Sequence, residues 1–422
     1  MNKKELKLLS KGQLIELLFA QNERIAELEH RVLAYENAHT PSSKQRKTNT
    51  APTDPNKPRF PGKPEGGNGG GIQMPPPDEE KRITKDACPD CHGDLTRRGT
   101  YHFTQMDIPQ PKFITTRFTV EYYVCKCCGK EVDAAAQLQK GFYGPKTTAM
   151  IATLKNEGLS LEAVARFLQE TYKLPITNVA VYNKINALAS VLEPERNRIL
   201  TAIHKSKFIH IDETGFREDG KNGFVWGVST PTHCAFEYDR SRGAAVAKRL
   251  LDGFDGSIVS DDYVGYEWHQ KRQLCWSHIL REAKDIVDKY FGVDVQAERL
   301  KKLYEEAKVA QEKKDKNKFK SLAWELEDIA TCYRAAKCPN MFNRLHNRTH
   351  LWLRGVLHPE VPLTNNHAER CLRKAVLQRN RMGCIRNQNG RNFLGIILTC
   401  TGTWRLQGRN LFEQLLKYSA LT

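Results

Sequence analysis

Phe208-Ile-His-Ile-Asp212, Phe224-Val-Trp-Gly-Val228, Cys234-Ala-Phe-Glu-Tyr238 and Ile258-Val-Ser-Asp261 are four short apolar runs. Runs of this length and composition read as strands. Between the third and the fourth, Ala244 to Leu251 reads as a helix. Three strands, a crossover helix and a fourth strand predict an α/β core, a mixed sheet with helices packed on it. Two of the strands end in acids, Asp212-Glu213-Thr-Gly215 and Asp261-Asp262-Tyr263. In open α/β sheets ligands bind outside the carboxyl ends of the strands, where distant acids can meet. The doublets leave the register open, because Glu213 or Asp262 would point to the other side of its strand.

A third acid lies far downstream, in Asn365-Asn-His-Ala-Glu369-Arg370. It opens a basic stretch with seven cations from Arg370 to Arg391 and no Asp or Glu. Glu369 reads in two ways. It is either the salt-bridge partner of Arg373, one helical turn on, or a metal ligand beside a phosphate backbone. Three converging carboxylates suit two Mg²⁺ ions, which prefer hard oxygen ligands. With metals roughly 3.5–4 Å apart, one activates an attacking oxygen and the other stabilises the leaving oxygen.

The totals agree with a polyanionic partner. Lys and Arg number 66 against 49 Asp and Glu, a net charge of +17 over 422 residues. Nucleic acid is the commonest such partner. No apolar run approaches the roughly 20 residues of a membrane span, and Met1-Asn-Lys-Lys-Glu-Leu6 lacks the features of a signal peptide. No membrane partner and a cytoplasmic, nucleoid-associated location are therefore expected. In that compartment the twelve cysteines read as metal ligands or buried thiols rather than disulfides.

Upstream of the core the chain changes character several times. Residues 1–39 read as a leucine-rich helix forming a coiled coil, with Leu14, Leu18, Ile25, Leu28, Val32 and Tyr35 in the seam, which implies a homodimer or a higher oligomer. Residues 40–82, rich in Pro and Gly, read as a disordered linker. Cys88-Pro-Asp-Cys91 and Cys125-Lys-Cys127-Cys128 are two knuckles within 83–135, separated by strand-like sequence at Tyr101 to Phe103 and Phe113 to Val124. Tetrahedral structural Zn²⁺ needs four thiolates from two tight turns, here Cys88, Cys91, Cys125 and Cys128. Cys127 reads as a bystander able to replace a neighbour. Residues 140–202 read as helices with helix-turn-helix-like spacing, Thr177 capping the second of the pair.

Four ordered motifs carry a resemblance to a known family: His210-Ile-Asp-Glu-Thr214, Ser260-Asp-Asp-Tyr-Val-Gly-Tyr266, Cys275-Trp-Ser-His278 followed by Arg281, and Asn365-Asn-His-Ala-Glu-Arg370. Together they resemble insertion-sequence family sixty-six DDE transposases, and the resemblance spans nearly the whole chain. It implies a ribonuclease-H-like core over 205–390, with a helical insertion at about 295–345 in which Leu300, Leu303, Leu322 and Trp324 supply apolar positions. It also implies a C-terminal helical tail over 391–422. It further implies a catalytic and metal-binding triad of Asp212, Asp261 and Glu369; Asp262 falls where the family commonly has Gly. Cys275, His278, Arg281 and Asn366 would support the active site. Arg370, Arg373, Lys374, Arg379, Arg381 and Arg386 would contact DNA.

The function so implied is that of a DNA transposase. It would bind element-end inverted repeats, cut the phosphodiester with two Mg²⁺ or Mn²⁺ ions, and join the freed 3′-OH to target DNA. Small accessory proteins of the same element are implied as partners. The rival readings are a metal-dependent nuclease that cuts without joining, and a non-catalytic zinc-ribbon regulator of DNA.

Overall fold

A computed structural model describes residues 76–108, 111–135, 141–290 and 292–422. The coiled coil expected over 1–39 and most of the linker expected over 40–82 lie outside the described residues. The chain divides into two compact units, Met1–Met106 and Asp107–Thr422. The first knuckle belongs to one unit and the second to the other.

The larger unit begins with a small antiparallel ladder of β1 (Tyr122–Val124) and β2 (Glu131–Asp133). The longer strands expected around it do not form. Tyr101 to Phe103 is not a strand, and of Phe113 to Val124 only the last three residues pair. Tyr101, Phe103, Ile114, Phe118 and Tyr122 are exposed, so no apolar layer rewards the alternation that suggested a ladder.

Three helices follow, α1 (Pro145–Asn156), α2 (Leu161–Tyr172) and α3 (Asn178–His204). The starts of α2 and α3 are set by side-chain caps. Ser160 accepts from the Ala163 amide at 3.0 Å, and Thr177 accepts from the Ala180 amide at 3.2 Å, as expected of Thr177. Ile151, Val164, Leu168, Val181, Ile185 and Leu188 turn inward and join the main core.

The sheet is built from β3 (Phe208–Gly215), β4 (Phe224–Ser229), β5 (Cys234–Asp239), β6 (Ser257–Ser260) and β7 (Arg272–Leu274). Its order is β5-β4-β3-β6-β7. The first three strands pair antiparallel; β6 and β7 join in parallel. This is the mixed sheet expected, with α4 (Ala244–Leu250) as the crossover between β5 and β6, and it is compatible with a DDE core. Because β3 is central, Ile209, His210 and Ile211 are all buried, as both faces of such a strand are covered. The strand β7 is invisible in the sequence: its three residues, Arg-Gln-Leu, are all buried, the polar two among them.

Downstream come α5 (Trp276–Asp285), α6 (Asp294–Glu312), α7 (Lys318–Ala335), α8 (Pro339–Leu345), α9 (Thr349–Trp352), α10 (Arg354–Leu357) and α11 (Asn366–Met382). Helices α6 to α8 fall where the insertion was expected, and Leu300, Leu303 and Leu322 are buried in a second cluster apart from the main core; Trp324 is instead 83% exposed. Trp276 ties α5 to α9, its indole Nε1 donating to the Trp352 carbonyl at 2.7 Å, and both tryptophans are buried in the same cluster as those leucines.

The C-terminal segment consists of α12 (Gln388–Asn392), a π-helical stretch (Phe393–Ile397), α13 (Leu398–Leu406) and α14 (Leu411–Ser419). It packs into the main core rather than trailing from it, since Leu394, Ile397, Leu398 and Trp404 are buried there. Strand β5 is a sheet edge, and an edge exposes unpaired amides. Here the hydroxyls of Thr403 and Thr399 accept from the Cys234 and Phe236 amides at 3.1 and 2.9 Å. Among the described residues no helix is long and apolar enough to cross a membrane.

Candidate active site

Three separate elements present the acids. Asp212 lies on β3, Asp261 follows the last residue of β6, and Glu369 is in the first turn of α11. Asp212 pairs in register with Gly227 on β4, and directly opposed residues face the same side of a sheet. The neighbour of the first acid therefore has no side chain. Leu372, one turn beyond Glu369, fills that space: a Cβ on Gly227 would lie 2.9 Å from Leu372 Cδ2.

Asn365 fastens α11 in this position. Its Nδ2 donates to the Ile211 carbonyl at 2.9 Å, which leaves Oδ1 to accept from His210 Nδ1 at 3.0 Å. Its amide donates to Cys275 Sγ at 3.1 Å. At the next turn His367 Nε2 donates to the Thr230 carbonyl at 2.7 Å. Burial drives the His210 ring down to about 4, so it works as a neutral donor. The sequence singled out Asn366, which is exposed; the residue holding the elements together is Asn365. A signal was present in the Asn-Asn doublet, since a helix start buries one of two consecutive residues.

The two acidic doublets divide their work. Glu213 is claimed by Arg242 at 2.7 Å and by the Tyr266 hydroxyl. Asp262 is claimed by Arg344 at 3.1 Å, from the last helix of the insertion, and by Arg348 at 2.5 Å, from just before α9. Asp212, Asp261 and Glu369 make no ion pair with Lys or Arg among the described residues. Burial, followed by the charges of Glu213, Asp261 and Glu369, pushes Asp212 well above the usual carboxylate range. The Glu369 carboxyl is held low, first by the His278 ring beside it and more weakly by Arg281 and Arg373. Its ionic neighbour is thus His278, at 3.2 Å, and not Arg373, the partner that helical spacing suggested. The donors are all oxygen and none is paired with Lys or Arg among the described residues, which fits a hard divalent cation.

The basic stretch does not act as one surface. Arg370, Arg373, Arg381 and Arg386 are exposed. Arg379 is turned toward the sheet, donating to Thr214 Oγ1 at 3.1 Å and the Gly215 carbonyl at 2.6 Å. Arg381 donates to the Glu157 carbonyl at 2.6 Å, and Arg391 pairs with Glu218. Lys374 Nζ is buried without a hydrogen-bond partner, and burial brings it down to about 8.

The two cysteine knuckles are the same turn built twice. The His92 and Gly129 amides donate to the Cys88 and Cys125 carbonyls, each at 2.9 Å; the Cys88 and Cys125 amides donate to the Gly93 and Lys130 carbonyls at 3.0 and 2.9 Å. Both turns need a left-handed residue in the same place, φ 58° at His92 and 70° at Gly129, which glycine adopts without strain. The amides of Cys91 and Asp90 hold the Cys88 thiol low, and those of Cys128 and Cys127 do the same for Cys125. Thiols eased toward thiolate suit zinc.

A mixed five-strand sheet with acids on β3 and after β6, and a cysteine-knuckle region ahead of it in sequence, are compatible with the class of zinc-finger transposases with a DDE domain. Residues 140–392 match the family described as "Transposase IS66 family", and residues 85–129 match "zinc-finger binding domain of transposase IS66". The first match covers more than half of the 422 residues, and the chain belongs to the transposase IS66 family. Among curated proteins, none matches the chain.

Proposed function

We propose that this chain is an active DNA transposase whose ribonuclease-H-like core holds two Mg²⁺ or Mn²⁺ ions on Asp212, Asp261 and Glu369. The observation that carries this is the selective pairing of the acids. Glu213 and Asp262 are neutralised by arginines, while Asp212, Asp261 and Glu369 have no arginine or lysine partner among the described residues and the charges of Asp261 and Glu369 act on Asp212. When bound, the divalent ions supply Lewis-acid activation of the attacking and leaving oxygens.

The chain's own residues do the positioning. The Asn365 bridge holds Glu369 toward β3, and Leu372 against Gly227 fixes its height over the sheet. Exposed Arg370 and Arg373 on the same helix neutralise backbone phosphate. In the first step water attacks phosphorus at an element end, and the 3′ oxygen leaves as a 3′-OH. In the second, that 3′-OH attacks a target phosphodiester and displaces its 3′ oxygen. Helices α2 and α3 and the knuckle region, with Cys88, Cys91, Cys125 and Cys128 as zinc ligands, would bind element-end inverted repeats.

Incubating the purified protein with end DNA, target DNA and Mg²⁺ tests this reading. Both a nicked end and a joined product are expected. Nicks without joining would make it a nuclease, and binding without nicks a regulator.

A further inference from the structure

The loop after β7 and the start of α11 bring together donors of a different kind. Cys275 is the N-cap of α5, His278 lies one turn on, and Glu369 faces them from α11. One possible ligand atom from each lies within 4.8 Å of the others, the one such group of three among the described residues. Cys275 is fully buried and the other two are half-buried.

Three details point to an ion in this position. Cys275 Sγ accepts the Asn365 amide at 3.1 Å, the kind of contact that orients and tunes a ligating sulfur. Glu369 Oε1 is buried with no hydrogen-bond partner, and a buried polar atom left so costs about 1–3 kcal/mol. His278 Nε2 and Glu369 Oε1 approach to 3.2 Å without hydrogen-bond alignment. Two ligands on one tetrahedral zinc, each bonded at about 2.0–2.1 Å, sit about 3.3 Å apart.

We propose that Cys275, His278 and Glu369 bind a zinc ion, distinct from the knuckle zinc and adjoining the hard-metal site of the acids, with which it shares Glu369. A thiolate and an imidazole select zinc over Mg²⁺, which takes oxygen ligands. With three protein ligands, the fourth position stays open to water. The ion takes Glu369 Oε1 and leaves the second carboxylate oxygen free, so it pins the third acid in place. The proposal goes beyond the transposase reading and is tested without DNA.

Zinc content is measured on the full-length chain after dialysis against a weak chelator, for the wild type, Cys275→Ser, His278→Ala and a variant with Cys88, Cys91, Cys125 and Cys128 all changed to Ser. Cys275→Ser is expected to lose about one equivalent per chain relative to wild type, and the four-serine variant to retain about one. Should the four-serine variant fail to fold, cobalt titration of otherwise intact chains replaces it: Cys275→Ser and His278→Ala then each lose about one equivalent with unchanged circular dichroism. Unchanged zinc and cobalt in both Cys275→Ser and His278→Ala would overturn the proposal. A protein that never nicks DNA yet shows this loss would overturn the transposase reading alone.

Discussion

His210 and Asn365 share a buried hydrogen bond of 3.0 Å, Nδ1 to Oδ1, across 155 positions of sequence. It joins the strand of the first acid to the helix of the third. Asn365→Ala leaves the His210 donor and the Ile211 carbonyl unsatisfied, at about 1–3 kcal/mol. We expect a denaturation midpoint lowered accordingly and nicking reduced more than tenfold. Unchanged stability and nicking would show that α11 is held by its apolar packing alone.

The acids should separate by role. Asp212→Asn, Asp261→Asn and Glu369→Gln are expected to abolish nicking. Without divalent cation, Asp212→Asn should be more stable than wild type, on the order of 1 kcal/mol, because a disfavoured buried charge is removed. Asp262→Asn should do the opposite. Removing one partner of a buried ion pair costs about 3–5 kcal/mol, somewhat less here because Asn still accepts hydrogen bonds. Thermal melts beside nicking assays decide; a stable, inactive Asp262→Asn would reverse the assignment.

Gly227→Ala places a methyl group 2.9 Å from Leu372 Cδ2. Overpacking of this kind costs about 1–3 kcal/mol, and the displacement is passed to Glu369 one turn away. Nicking should fall more than the stability loss explains. Leu372→Val in the same chain should recover part of it. An additive double mutant would argue against the steric link.

Exposed and buried cations should differ in salt titrations. Removing a cation that neutralises one phosphate flattens the slope of log affinity against log salt by about 1. Arg370→Ala, Arg373→Ala and Arg386→Ala are expected to do so. Lys374→Met should leave the slope alone, its Nζ being buried.

Lys155 offers a pH test. Its Nζ donates to the Leu159 carbonyl at 3.1 Å, and burial lowers it from 10.5 to about 8. A lysine depressed on folding costs most where both states are charged, below about 8. The cost fades between 8 and 10.5 and is absent above. Lys155→Met should therefore be more stable than wild type at pH 7, by at most about 3 kcal/mol. That advantage should shrink as pH rises through the window; an advantage constant with pH would refute the origin in burial.

Local signals carried far in this chain. Short apolar runs located four of the five core strands, and Thr177 announced the start of α3. The Cys-x-x-Cys spacing located two turns that proved identical in their hydrogen bonds. What failed were signals whose meaning depends on burial. The aromatic alternation at Tyr101 to Phe103 forms no strand, because nothing covers it. Trp324 stays exposed although its helix forms, and β7 hides in a tripeptide whose Arg and Gln are buried, the Gln bonded to Trp352 and Gly355 of α9 and α10.

The sequence alone determined which residues are acidic, where four of the strands run and which cysteines pair in turns, because these follow from periodicity and spacing within a few residues; it did not fix where strands end, since β3 continues past Asp212 to Gly215. Only the tertiary structure decided which acid of each doublet stays unpaired. Arg242, Arg344 and Arg348 reach Glu213 and Asp262 from 29 to 86 positions away, a distance at which local sequence says nothing about proximity. It likewise decided that Glu369 faces His278 rather than Arg373. A helix fixes only its own i+4 neighbours; its neighbour across the site is set by the face it must bury.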